Sequence, residues 1–202
     1  FRILRRLISI NNIPYFVSIE AILPYIYSSN SDIQLYSIKF FYYYIKCLND
    51  FAPISRNLFV DFLDVIRKND CNMISYLFSI STIEGTLKMR KFGLLSISEF
   101  FKIPILYNDI NKFCDALFIE ALCSFLEAQY DFLLFESISG VLLRIIEIEG
   151  KKETVGWLQF RLSDLILQFI DIENFEYMAE NADTSSNMRQ LLLILKKMNQ
   201  TS

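Results

Sequence analysis

Residues 33–48, IQLYSIKFFYYYIKCL, constrain the fold more than any other stretch of the chain. Wound as a helix, they place Ile33, Tyr36, Phe40, Tyr43 and Tyr44 on one broad face and Leu35, Ile38, Phe41, Tyr42 and Ile45 on another. A helix that is apolar almost all round has to be covered on more than one side. The run therefore predicts an inner helix of a stacked, all-helical arrangement.

The rest of the chain follows the same pattern. Strand signals are scarce, and apolar residues recur at i, i+3, i+4 and i+7 between short polar turns. After a first helix with Arg2, Arg5 and Arg6 on its wet side and Ile3, Leu4, Leu7 and Ile8 inward, Asn11, Asn12 and Pro14 make a break. A helix over 17–27 follows, with Pro24 expected to kink it or to divide it. Ser28 to Ser31 form a turn, and Ser31 or Asp32 is the expected N-cap of the inner helix. Further helices are predicted over 55–68, 73–80, 86–102 and 108–128, the last with Asp109 as N-cap, and Pro104 stops the one before it. Then 132–148 contains Gly140, expected to admit a close neighbour, and Gly150 with Lys151 and Lys152 reads as a C-cap with a basic end. Helices over 153–170, with Trp157 near its start, 174–180 and the amphipathic Met188 to Met198 complete the chain.

Composition excludes several functions. The absence of histidine removes a Ser/His/Asp triad, a Cys/His dyad and any His-ligated metal site. Cys47, Cys71, Cys114 and Cys123 have no metal-type spacing and read as buried small hydrophobes in a reducing compartment. The scattered glycines form no phosphate-cradling loop. A net charge of −3 and a pI near 5.1 argue against nucleic acid, which wants clustered surplus Lys and Arg. The chain is 53% hydrophobic, yet its longest charge-free runs fall well short of the ~20 residues a spanning helix needs. Asp171, Glu173, Glu176, Glu180 and Asp183 lack the glycine and spacing of a calcium loop and read as a solvated acidic surface. The basic group Lys88, Arg90 and Lys91 reads likewise as a solvated helix face, with an acidic partner as the alternative. Asn199-Gln200-Thr201 matches a glycosylation sequon, a short pattern with nothing beside it.

The stretch ILPYIYSSNSDIQLYSIKFFYYYIK resembles one armadillo-type repeat: an apolar helix containing Leu23-Pro24, a small polar turn, then a longer helix entered through Ile33-Gln34. GTLKMRKFGLLSISEFFK is similar to a second long helix of that class, and 132–150 with 153–170 to a third hairpin. FEYMAENADTSSNMRQLLLILKK echoes the rhythm again. The resemblance implies a right-handed α-solenoid of stacked helical hairpins whose long helices line a concave groove. In peptide-binding members those helices carry an Asn ladder, with Trp one turn before. Here the Asn positions fall on Tyr43 and Glu99 and the first Trp position on Lys39, so the resemblance implies a groove of different chemistry. Tyr36, Lys39, Tyr43, Arg90 and Glu99 are the protein-binding candidates that follow.

The sequence thus predicts a single armadillo-like domain over 1–202, a segment of a longer chain since it opens on Phe1, acting as a non-enzymatic protein-binding scaffold. No cofactor, catalytic residue, metal site or nucleic-acid partner is expected, and the expected location is the cytoplasm, with the nucleus as alternative. A purely structural segment of a larger helical assembly is the second reading. A membrane-surface helical domain, suggested by the Arg-rich start, is the third. Exposure of Ile3, Leu7, Leu192 or Leu195 would mark missing neighbours.

Overall fold

Asn30 starts the element on which the fold is built. Its side-chain Oδ1 accepts from the backbone N–H of Asp32 at 3.1 Å and of Ile33 at 3.2 Å, and its carbonyl accepts from Gln34 N–H at 2.9 Å. Two of the orphan donors of a helix start are thereby satisfied. The cap is Asn30, not Ser31 or Asp32, because the turn through Ser28 brings the shorter amide side chain under the first turn; Ser28 Oγ itself accepts from Asn30 N–H at 3.2 Å.

In the computed structural model, which describes residues 18–51, 56–68, 72–106, 110, 112–128 and 132–147, every regular element is helical, and no strand occurs among the described residues. The chain divides into two compact units, Phe1–Ile110 and Asn111–Ser202.

In the first unit a 3-10 turn, Ile19–Ala21, leads into the short helix α1, Leu23–Ile26. The long helix α2 spans Ser31–Phe51, α3 spans Arg56–Lys68 and α4 spans Asn72–Ser79. A π-helical stretch, Ile80–Glu84, continues α4, and after Gly85 and Thr86 comes α5, Leu87–Phe100. Pro24 does not kink a continuous helix; it occupies the first turn of α1, where its missing N–H costs nothing. Thr86 caps α5 through Oγ1, which accepts from Met89 N–H at 3.4 Å. Pro104 does not stop α5, which ends at Phe100; it opens a 3-10 turn, Pro104–Leu106. Of the four residues expected on one face of α5, Leu94, Ile97 and Phe101 are buried, whereas Leu87 is exposed.

The core of this unit is aromatic. Phe41, Phe62 and Phe100, one each from α2, α3 and α5, are almost wholly buried and meet pairwise at 5.8, 6.2 and 6.4 Å between ring centroids. These separations suit tilted or offset ring contact. Around α2, Ser37, Ile38, Phe40, Phe41, Tyr42, Tyr44, Ile45 and Leu48 are buried, so more than half its circumference is covered, as its sequence requires. Tyr44, whose hydroxyl suggested a more open position, is buried beside Phe40 and Phe62. Its hydroxyl pKa is pushed up to about 12 by burial and by the Asp61 carboxylate.

Gly93 is the point of closest approach between α5 and the π-helical stretch. A Cβ there would collide with Ser81 Oγ, which itself donates to the Leu77 carbonyl at 2.6 Å.

In the second unit, α6 spans Ala116–Ala128 and α7 spans Phe132–Glu147. The helix expected over 108–128 is interrupted: Lys112 and Phe113 form a turn, and Asp115 caps α6 by accepting from Phe118 N–H at 2.9 Å. Asp109 lies outside the described residues. Phe118, Ile119, Leu122, Ile138, Leu142 and Ile145 are buried at helical spacing. Gly140 admits no close neighbour: among the described residues no heavy atom lies within 4 Å of a Cβ built on it. Ile3, Leu7, Gly150, Trp157, Leu192, Leu195 and the acidic group from Asp171 to Asp183 lie outside the described residues.

Candidate functional site

Tyr36, Lys39 and Tyr43 follow one another at i, i+3 and i+7 along α2, so they share a stripe. All three are half-buried, on the part of α2 that the core does not cover. Their neighbour across the helix pair is Phe92 of α5. Lys39 Nζ stands 5.1 Å from the Phe92 ring centroid, within range of a cation–π contact. Tyr42 lies 6.0 Å from the same ring and 4.9 Å from Tyr43. The result is a half-exposed strip of rings with an ammonium group set into it.

The remaining candidates are placed differently. Arg90 donates from Nε to the Ser81 carbonyl at 3.2 Å, which ties α5 to the π-helical stretch. Glu99 is buried, at 5% exposure, with its carboxylate engaged on both oxygens. Oε2 accepts from Asn49 Nδ2 at 2.9 Å, and Oε1 accepts from Lys102 Nζ at 2.7 Å. Asn49 Nδ2 also donates to the Glu99 backbone carbonyl at 2.9 Å. A carboxylate out of water needs such donors, and here they fasten the far ends of α2 and α5 together. Glu99 is thus a seam residue of the helix pair. Tyr36, Lys39 and Tyr43 form one strip, and Arg90 and Glu99 belong to local ties elsewhere on α5.

Burial, the Glu99 carboxylate, Tyr43 and Asp50 push the Tyr42 hydroxyl up to about 12, in that order of influence. Tyr42 is therefore a neutral phenol throughout the physiological range. Among the described residues, no three His, Cys, Asp or Glu side chains converge on a common point, and no helix is long and apolar enough to cross a membrane.

Two members of the strip, Tyr42 and Phe92, were not foreseen from sequence. Phe92 sits in a helix whose apolar residues mostly face inward, and nothing local distinguishes it from them. Its role depends on a residue fifty positions earlier, which no local pattern records.

No protein-family model matches the chain, and no curated protein or solved structure matches it either. The strip has to be read on its own chemistry. A half-buried cation over an aromatic ring, flanked by tyrosines, presents apolar area and hydrogen-bonding tips together, the combination favoured where proteins meet.

Proposed function

We propose that the chain is an armadillo-like α-solenoid segment working as a non-enzymatic protein-binding scaffold in the cytoplasm or nucleus. One observation carries this reading: the constant step of the contacts between α1–α2 and α4–α5. Tyr42 meets Phe92 and Asn49 meets Glu99, each pair fifty residues apart, while the rings of Tyr27 and Tyr76, 4.6 Å apart, join residues forty-nine apart. A constant offset means that α2 and α5 run alongside each other in the same direction, with a short helix before each. That is the relation between equivalent helices of successive repeats, and a step of about 50 residues is close to the ~40–47 of armadillo and HEAT repeats. Stacked repeats of this kind expose a continuous surface along their long helices, here the strip of Tyr36, Lys39, Tyr43 and Phe92.

The test compares proteins retained from a lysate of the source cell by the full chain and by a Lys39→Glu/Tyr43→Ala variant of matched thermal stability. Partners kept by the first and lost by the second are the expected result. Retention of chaperones alone by both would instead favour the purely structural reading.

A further inference from the structure

Resting on the scaffold reading, the charge distribution of the α2–α5 face narrows the partner. α5 carries Lys88, Arg90 and Lys91 in its first half; its single acid, Glu99, is buried and already bridged to Lys102. On α2, Lys46 follows Lys39 by seven residues and so lies on the same stripe, and it is exposed. Lys88 is also exposed and precedes Phe92 by four residues, which puts it on the side of α5 that holds the ring under Lys39. Three ammonium groups, Lys39, Lys46 and Lys88, thus surround Phe92 and Tyr43 in a chain whose net charge is −3. Lys88 stands in the first turn of α5, where the helix dipole disfavours a cation, so helix stability does not account for it.

We infer that this cationic, ring-floored strip docks a short acidic peptide segment that carries an apolar side chain between its carboxylates. Lys39 and Lys46 are separated by about 10 Å along the helix axis, which an extended peptide spans in about three residues. Carboxylates at that spacing would meet both ammonium groups while the side chain between them rests on the rings. The strip is also closed at its ends: Asp32 in the first turn of α2 and Asp50 near its last are both exposed and repel a longer polyanion. That closure, with the acidic balance of the whole chain, favours a short acidic peptide over a nucleic-acid backbone, which needs an unbroken basic track.

The experiment measures fluorescence anisotropy with a labelled dodecapeptide containing Glu-Leu-Leu-Glu, the same peptide with both Glu replaced by Gln, and a labelled oligothymidylate. The Glu peptide is expected to bind the full chain, with affinity falling as salt is raised and falling about fivefold on Lys39→Glu or Lys88→Glu. Lys68→Glu, an exposed cation in the last turn of α3, leaves it unchanged, and the double Lys39→Glu/Lys88→Glu variant gains affinity for a peptide with Lys in place of both Glu. Circular dichroism confirms that each variant is folded. Equal binding of the Glu and Gln peptides, no binding at the highest soluble peptide concentration, or tighter oligothymidylate binding lost in the same variants overturns the proposal. If the peptide fails while Lys39→Glu/Tyr43→Ala still loses its cellular partner, acidic recognition is refuted and the scaffold reading stands.

Discussion

Two glycines in helices show how far a single position can depart from its general propensity. Replacing a helical Gly by Ala ordinarily stabilises by about 1 kcal/mol. Gly140, with no described atom within 4 Å of a new Cβ, should follow that rule. At Gly93 the new methyl runs into Ser81 Oγ, so the sign should reverse, with a loss of about 1–3 kcal/mol. Denaturant titration of Gly93→Ala, Gly140→Ala and Gly93→Ala/Ser81→Gly decides the point, since the double variant should regain most of the loss. Stabilisation by Gly93→Ala alone would mean that the helices are less closely packed there. At the start of α2, Asn30→Ala should cost ~1 kcal/mol by freeing the Asp32 and Ile33 amides, whereas Ser31→Ala should be nearly neutral. The polar turn was legible in the sequence, but the choice of cap within SSNSD was not, because Ser, Asn and Asp are all competent and only the path of the chain selects among them.

Among the elements, α2 was the most legible. Its all-round apolarity required cover on several sides, and α3 and α5 supply it through Phe62 and Phe100. The helix expected over 108–128 was less so, since the apolar rhythm runs on through Lys112 to Asp115 while the backbone turns there. Periodicity records which residues are apolar, and a turn that keeps them apolar leaves no trace in it. The pairing of α2 with α5 was also beyond local pattern, yet it holds the Glu99 seam. Asn49→Ala removes both donations to Glu99 and should cost about 1–3 kcal/mol by chemical denaturation. Lys102→Ala should cost less than about 1 kcal/mol, because Lys102 is 56% exposed and its ion pair is largely screened. A larger loss from Lys102→Ala than from Asn49→Ala would contradict this account of the seam. Of the candidate residues, Tyr36, Lys39 and Tyr43 shared a face by spacing alone, whereas the burial of Glu99 could not be read from a sequence that places it between Ser98 and Phe100 in an otherwise apolar stretch.

For the whole molecule, the two buried phenols set a limit on alkaline stability. Tyr42 and Tyr44 titrate near 10.0 when exposed and at about 12 in the fold. Between those values the unfolded chain has lost protons that the folded chain still holds, so the contribution of both groups is complete below pH 10 and is lost as pH rises toward 12. Unfolding free energy measured across that window should fall steeply, and Tyr42→Phe should flatten the fall after allowance for its own effect at neutral pH. An unchanged slope would mean that Tyr42 ionises in place without penalty. All-helical architecture was the most securely legible feature at this scale, because the near-absence of breakers and the helical period act over the whole chain.

The wide turn at Ile80–Glu84 carries a consequence for how this chain can change length. A π-helical turn accommodates one residue more than the α-helix it interrupts, and each residue of an α-helix advances the chain by about 100°. Dropping a single codon there would return α4 to ordinary phase and swing Ser81, Gly85 and the Thr86 cap to another side of the helix. Gly93 would then face the wrong neighbour, and Arg90 would lose the Ser81 carbonyl. The segment is therefore a fixed phase-setter between successive long helices, intolerant of deletion by one residue.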